Sequence, residues 1–132
     1  MPLIAFANSK PYDLIDNRPY SGLTLLHSSG APRSPTYRCL VDSGSDYIVL
    51  PISAAASVGI RLSRMRKTLH GVTGSASFFF EPALLVDVEG YRITADVLFD
   101  PSPSAAFVPL LGRAAMLAAF DVGFTVVEWL WT

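Results

Sequence analysis

The sequence predicts an all-β domain with one or two short helices. Of its 132 residues, 51% are hydrophobic and only 16% are charged. Ten prolines and nine glycines divide the chain into short apolar segments, a pattern that favours strands joined by turns over long helices. A chain of this length buries one modest core. We therefore divide it into an N-terminal arm, residues 1–19, and one folded domain, residues 20–132.

Charge and cysteine content narrow the class of function. A net charge of -1 gives no reason to expect a nucleic-acid or membrane partner. Cys39 is the only cysteine, which excludes an internal disulfide and a multi-cysteine metal site, and we interpret it as a small buried hydrophobe. No apolar run reaches the roughly 18 residues of a membrane span, and the first residues lack the basic start of a signal peptide. We expect a cytoplasmic protein without a metal or another cofactor.

The first half of the chain predicts a hairpin, a third strand and a helix. Residues 22–27 and 36–41 are two apolar segments separated by a turn-rich loop, and the resulting hairpin ends at Asp42. Residues 47–50 are apolar and β-branched and predict the next strand. The proline that follows fits the first turn of a short helix over residues 52–58.

The second half continues the pattern of strands and turns. Residues 68–77 predict a hairpin with a glycine on each side of its tip. Residues 83–88 and 91–99 alternate partly between apolar and polar side chains and predict another hairpin. The remaining segments predict, in order, a strand over 106–111, a helix over 113–120 and a final strand over 124–131. The total is about eight strands and two short helices.

The segment Leu-Val-Asp-Ser-Gly-Ser-Asp, residues 40–46, contains the main candidate for chemistry. A strand that ends in Asp-Ser-Gly places the carboxylate of Asp42 at a tight turn between residues too small to block a substrate. Such a turn is often only structural. The chain contains one Asp-Ser-Gly, so a catalytic pair of carboxylates requires a second copy of the chain. We interpret Asp42 as half of such a pair in a symmetric homodimer.

A second apolar segment supports this interpretation. Pro-Leu-Leu-Gly-Arg, residues 109–113, reads as a strand that ends in glycine and is followed by an arginine. Such a strand can pack beside the turn at Asp42. Arg113 can then pair with Asp46 through a bidentate contact that holds the outer end of the turn. The alternative is that Arg113 is an ordinary surface residue.

The glycine-bounded hairpin tip is the third candidate feature. A peptide-binding cleft needs a lid that opens for substrate and closes to exclude water, and a hairpin of this kind suits that role. The alternative is an ordinary hairpin. No nucleophilic serine or cysteine motif accompanies the histidine at the tip, so we do not interpret it as a catalytic base. The residues of this candidate flap are His70, Gly71, Val72, Thr73 and Gly74.

Taken in this order, the segments resemble the retropepsin-like aspartic proteases. The resemblance covers roughly residues 20–127. Residues 42–44 are similar to the family's Asp-Thr/Ser-Gly, and residues 110–113 match its apolar-apolar-Gly-Arg segment. It implies a closed barrel with a flap hairpin, a homodimer in which each chain supplies one catalytic aspartate, and an aspartic endopeptidase that acts on a peptide or protein substrate.

The resemblance also implies roles for individual residues. Asp42 would be catalytic, and Ser43 would brace the two paired turns by hydrogen bonds across the two-fold axis. Gly44 and Asp46 would bind the main chain of the substrate. Structural support would come from two residues of the second segment, Gly112 and Arg113, the latter through Asp46.

One departure from the family keeps two alternatives open. The family usually has Asp or Asn after its Gly-Arg pair, whereas this chain has Ala114. The first alternative is a catalytically inactive retropepsin-like module that dimerises or binds peptide. The second is an unrelated small β-barrel that binds a ligand as a monomer, with Asp42 in a structural turn.

Overall fold

The computed structural model describes residues 15, 18–27, 33–42, 44–62, 66–71 and 74–113. Within these residues strands dominate and there is one short helix, so the all-β prediction is confirmed at this level. Most of the proposed arm and the predicted elements over 113–120 and 124–131 lie outside them, apart from Arg113. The elements are β1 (Tyr20–Leu26), β2 (Arg33–Val41), β3 (Ile48–Pro51), α1 (Ile52–Ser57), β4 (Arg66–Gly71), β5 (Gly74–Val88), β6 (Tyr91–Asp100) and β7 (Leu110–Leu111).

The described strands form one sheet in the order β1-β2-β7-β3-β6-β5-β4, and β1 also pairs with β5. The β2–β7 and β3–β6 pairs are parallel, while the other pairs are antiparallel. The short strand β7 lies between β2 and β3, the two strands that flank Asp42 in the sequence. A segment from late in the chain is therefore inserted directly beside the candidate turn.

The hairpin of β1 and β2 is present, but β2 begins three residues earlier than predicted. The ladder between the two strands is irregular between Thr24 and Leu26. There the buried hydroxyl of Ser34 accepts the N–H of Leu25 at 2.8 Å. A side-chain oxygen thus satisfies a buried backbone donor beside Pro35, and the strand continues through the proline.

Strand β5 is longer than predicted, because it belongs to two hairpins. Its first part pairs with β4 and, through Phe79–Glu81, with β6, while its second part pairs with β6 and β1. The register on β6 shifts between Glu81 and Leu84, where Pro82 has no N–H to donate. Ala83 adopts a positive φ of 52°, and its N–H donates to Asp96 Oδ1 at 3.0 Å. Through this bulge, the second strand of the first predicted hairpin continues into the first strand of the next, and the two form the single strand β5.

The predicted strand over 106–111 is wrong in extent, because only Leu110 and Leu111 are in a strand. Pro109, inside the predicted range, has no N–H to donate to a ladder. The chain turns there instead, and the N–H of Phe107 donates to the carbonyl of Ser104 at 3.0 Å. Strand β7 is therefore just long enough to reach the candidate turn.

The core lies between the inner faces of the strands and α1. The helix can approach closely because it presents small side chains, Ala54 and Ala55, and both are buried. It has six residues, and within the described ranges no helix has the length and apolar character needed to cross a bilayer. The largest fully buried side chains include Leu23, Leu25, Ile48, Leu50, Val97, Leu98, Phe99 and Leu111.

Cys39 is fully buried in this core, as predicted, which leads to an expected alkaline sensitivity. Burial raises the pKa of its thiol from 9.0 to about 12. The unfolded chain loses this proton near pH 9, whereas the folded protein holds it to about pH 12. The stabilisation is therefore complete below pH 9 and declines above it, by up to about 1.4 kcal/mol per pH unit.

Urea unfolding at pH 8, 9 and 10.5 measures this effect. We expect the free energy of unfolding to fall more steeply with pH in the wild type than in Cys39→Ala, because the variant lacks the thiol. The variant keeps every other group of the wild type, so the difference between the two slopes isolates the contribution of the thiol. Equal slopes in the two proteins contradict the prediction.

Candidate functional site

The Asp42 turn, residues 42–45, follows β2 directly, and Asp42 is half-buried there. The carbonyl of Asp42 accepts the N–H of Ser45 at 3.2 Å, and its Oδ1 accepts the N–H of Gly44 at 2.9 Å. Ser43 lies outside the described residues. Main-chain and side-chain oxygens of one aspartate thus close the same turn, which fixes the orientation of its carboxylate.

Gly44 keeps this carboxylate in place by being small. It is exposed, and a Cβ built on it would lie 3.2 Å from Asp42 Oδ1. A larger residue would press on the oxygen that the Gly44 N–H already binds. The sequence-based interpretation, that small residues border the carboxylate, therefore has a direct geometric basis at this position.

Strand β7 and the two residues that follow it hold the Asp42 turn from the other side. The N–H of Asp42 donates to the carbonyl of Leu111 at 3.1 Å, and the N–H of Arg113 donates to the carbonyl of Ser45 at 2.7 Å. These two bonds bracket the turn at its first and last residues. The prediction that the apolar segment 109–113 packs beside the turn is confirmed.

Gly112 lies against the backbone that leaves the turn. A Cβ built on it would lie 2.4 Å from the carbonyl oxygen of Tyr47, 2.7 Å from the Tyr47 nitrogen and 2.6 Å from the carbonyl oxygen of Ser45. All three atoms belong to the main chain, so no side-chain rotation relieves the contact. Only glycine fits at this position. Gly112 supports the turn by letting the two backbones approach each other this closely.

The predicted contact between Arg113 and Asp46 is present, but as a single hydrogen bond rather than the bidentate contact that was expected. Arg113 Nη2 donates to Asp46 Oδ1, and the two side chains are 53% and 64% exposed. An ion pair this exposed contributes at most about 1 kcal/mol to stability. Its effect is to orient the carboxylate of Asp46 just beyond the turn. With Tyr47 and Asp96, the pair lines a shallow, open depression of about 500 Å³.

The hairpin predicted over residues 68–77 is present and extends further. Strands β4 and β5 pair from Arg66 opposite Phe79 to Gly71 opposite Gly74, with His70 opposite Ser75. The tip residues, 72 and 73, lie outside the described residues. Gly71 and Gly74 form the last pair before the tip, so a glycine stands on each side of it, as the sequence pattern predicts.

A cleft for an extended peptide would also have apolar side pockets, for which the sequence offers the candidate lining residues Ile48, Val72, Phe78, Val108 and Leu110, and the structure corrects one of them. Ile48 is fully buried in the core and is not available to a ligand. Of the others, Phe78 and Leu110 are half-buried and Val108 is exposed, while Val72 lies outside the described residues. Ile48 belongs to the same core cluster as the buried alanines of α1, so its side chain packs inside the fold.

Two side chains near the turn were not foreseen. The ring of Tyr47 meets Phe80 of β5 edge-on, with centroids 6.0 Å apart and planes at 82°. Asp96 binds the bulge in β5 and lines the same depression as Arg113. Pro82, inside an otherwise strand-like segment, is the sequence signal that announces a bulge. No local pattern announces the aromatic pair.

The chemical group that this arrangement presents is the carboxylate of Asp42. Among the described residues no three His, Cys, Asp or Glu side chains are grouped to hold a metal ion. A single fixed carboxylate can accept or donate a proton, but it cannot do both at the same moment.

A scan against models of known protein families matched no family, and a search of curated proteins gave no match.

Proposed function

We propose that this chain is one half of an aspartic endopeptidase, in which Asp42 from each of two copies forms the catalytic pair. The observation that carries the proposal is the Asp42 turn, whose carboxylate accepts the Gly44 N–H while Leu111 of β7 and the nearby Arg113 hold its two ends. The resemblance adds a closed retropepsin-like barrel, and the pairing of β1 with both β2 and β5 supports that closure.

The need for two carboxylates follows from the chemistry of peptide hydrolysis. Two carboxyl groups a few ångströms apart resist joint ionisation, so they share one proton over a wide pH range. The ionised Asp42 removes a proton from a bound water, and that water attacks the peptide carbonyl carbon. The protonated Asp42 of the second copy donates its proton to the carbonyl oxygen. Breakdown of the tetrahedral intermediate requires a proton on the leaving amine, which the pair supplies.

The residues around the pair bind and orient the substrate. An extended peptide binds by β-type main-chain hydrogen bonds, with Gly44 and Asp46 as partners on the floor of the cleft. Arg113 holds the Asp46 carboxylate in position, and Gly112 permits the close approach of the two backbones. The β4–β5 hairpin serves as the flap, and Ser43 joins the two turns across the two-fold axis. The reaction uses no metal or other cofactor.

Dilution of the protein tests the proposal. If the site is shared between two copies, activity per chain falls as the dimer separates. Well below the dissociation constant of the dimer, each tenfold dilution should lower cleavage per chain about tenfold by mass action. Cleavage of a peptide library at mildly acid pH, with light scattering on the same samples, measures both quantities.

Three other outcomes separate the alternatives. Cleavage per chain that stays constant while light scattering reports monomer contradicts a shared site. A dimer that cleaves nothing supports the inactive retropepsin-like module. A monomer at all concentrations that binds a ligand without cleavage supports the unrelated β-barrel.

A further inference from the structure

Tyr47 connects the Asp42 turn to the base of the β4–β5 hairpin. Its main chain is fixed to the turn, because the Ser45 hydroxyl donates to the Tyr47 carbonyl at 3.1 Å and Gly112 packs against the same peptide unit. Its side chain extends away from the turn to Phe80 on β5. The Tyr47 backbone therefore moves together with the turn, while the Tyr47 ring contacts another part of the sheet, strand β5.

Phe80 lies at the base of the hairpin. The neighbouring Phe79 forms the first pair with β4, opposite Arg66, and the bulge of β5 follows within a few residues. The N–H of Ala83 in that bulge is bound by Asp96, which fixes β5 to β6 on the far side of Phe80. The hairpin thus leaves the sheet at a segment that pairs with β6 through Phe79–Glu81, is bound by Asp96 at the bulge, and is contacted by the Tyr47 ring.

We infer that the edge-on pair of Tyr47 and Phe80 sets the orientation of the β4–β5 hairpin relative to the Asp42 turn. Both residues act as positioning residues, and neither takes part in the proton transfers. The geometry of the pair, with planes at 82°, is the T-shaped arrangement in which the positive edge of one ring meets the negative face of the other. Such a pair favours one relative orientation, whereas an aliphatic contact of equal area does not.

The consequence for function rests on the proposed endopeptidase activity. If the hairpin is the flap, the ring pair sets how the flap meets a bound peptide. Loss of the pair should then weaken peptide binding more than it slows the chemical step. We expect Tyr47→Leu to raise KM about two- to tenfold, the range given by the energy of such ring pairs, with kcat changed less than twofold.

Amide hydrogen exchange tests the coupling without reference to activity. The variants are Tyr47→Leu, Phe80→Leu and the double variant, and the probes are the amides of β4 and of the first half of β5. Each single variant should lower protection about two- to tenfold, and the double variant should lower it no further than one single variant does. Tyr47→Phe and Phe80→Tyr keep the rings and should keep the protection. Tyr91→Leu removes an exposed ring at the turn between β5 and β6 and is the matched control.

The results of these experiments distinguish the coupling of Tyr47 and Phe80 from the proposed endopeptidase activity. Additive losses in the double variant, or unchanged protection in both single variants, overturn the coupling even if the wild type cleaves peptide. If the wild type cleaves no peptide but the loss of protection in the double variant is non-additive, the coupling of Tyr47 and Phe80 stands and the proposed endopeptidase activity is contradicted. If Tyr47→Leu does not fold, Phe80→Leu against Phe80→Tyr decides, since equal protection in those two overturns the inference.

Discussion

Replacing Asp42 with asparagine is expected to lower kcat/KM for peptide cleavage by about 10³-fold or more, near the upper part of the range for loss of an acid–base group. The amide has nearly the shape of the carboxylate, and its oxygen can still accept the N–H of Gly44. The turn should therefore keep its geometry, whereas the proton exchange between the two copies is lost. Measurement of cleavage with purified protein, together with light scattering, separates loss of chemistry from loss of the dimer.

Asp100 provides a matched control for this substitution. Its Oδ1 accepts the N–H of Ser102 at 2.9 Å, the same i to i+2 relation that links Asp42 and Gly44. It lies at the end of β6, away from the proposed catalytic pair in sequence and in the order of strands. Asp100→Asn should cleave as the wild type does. Equal activity in wild type, Asp42→Asn and Asp100→Asn shows that Asp42 is not catalytic.

Replacing Gly112 with alanine is expected to lower the free energy of unfolding by about 3 kcal/mol, at the upper end of the usual cost of overpacking. The added methyl group would lie 2.4 Å from the Tyr47 carbonyl oxygen, and both sides of the contact are main chain. Relief requires β7 to move away from the Asp42 turn, which strains the bonds at Asp42 and at Ser45. Peptide cleavage should fall together with stability. Urea unfolding followed by circular dichroism gives the free energy.

Gly59 separates this steric effect from the general cost of replacing a glycine. It has a positive φ of 71°, and a Cβ built on it meets no atom within 4 Å. Gly59→Ala is therefore strained only through its backbone, at a cost of about 1 kcal/mol. We expect Gly112→Ala to be the more destabilised by about 2 kcal/mol. A smaller loss at Gly112 than at Gly59 contradicts the close packing of β7 on the turn.

The sequence predicted the parts of the fold that local patterns control. Two apolar segments around a turn-rich loop identified the hairpin of β1 and β2, and the glycine pair identified the hairpin of β4 and β5. It did not predict that β5 is continuous, because Pro82 has the appearance of a strand boundary. The carboxylate of Asp96 makes the bulge possible from the neighbouring strand, 13 residues away. Such a contact has no local signature.

The same distinction holds at the candidate site. Asp42, Gly112 and Arg113 could be identified because they lie in two short motifs, Asp-Ser-Gly and Leu-Leu-Gly-Arg, in which each residue has a recognisable structural role. The pair of Tyr47 and Phe80 was missed, because neither residue departs from an ordinary strand pattern. Their contact depends on the register of β5, which the bulge sets. Motifs thus locate the chemical groups, whereas tertiary packing determines what connects them.

The insertion of β7 beside the Asp42 turn also determines when the site can form. Leu40 and Val41 pair with Leu110 and Leu111, and Arg113 reaches Asp46 across 67 residues of chain. Contacts between such distant positions close a long loop, and they form late because the entropy of closure opposes them. During synthesis the hairpin of β1 and β2 is complete long before its partner strand leaves the ribosome. A nascent chain therefore carries Asp42 without the support that fixes its turn, and the order of translation keeps the proposed enzyme latent until residues 110–113 have been synthesised.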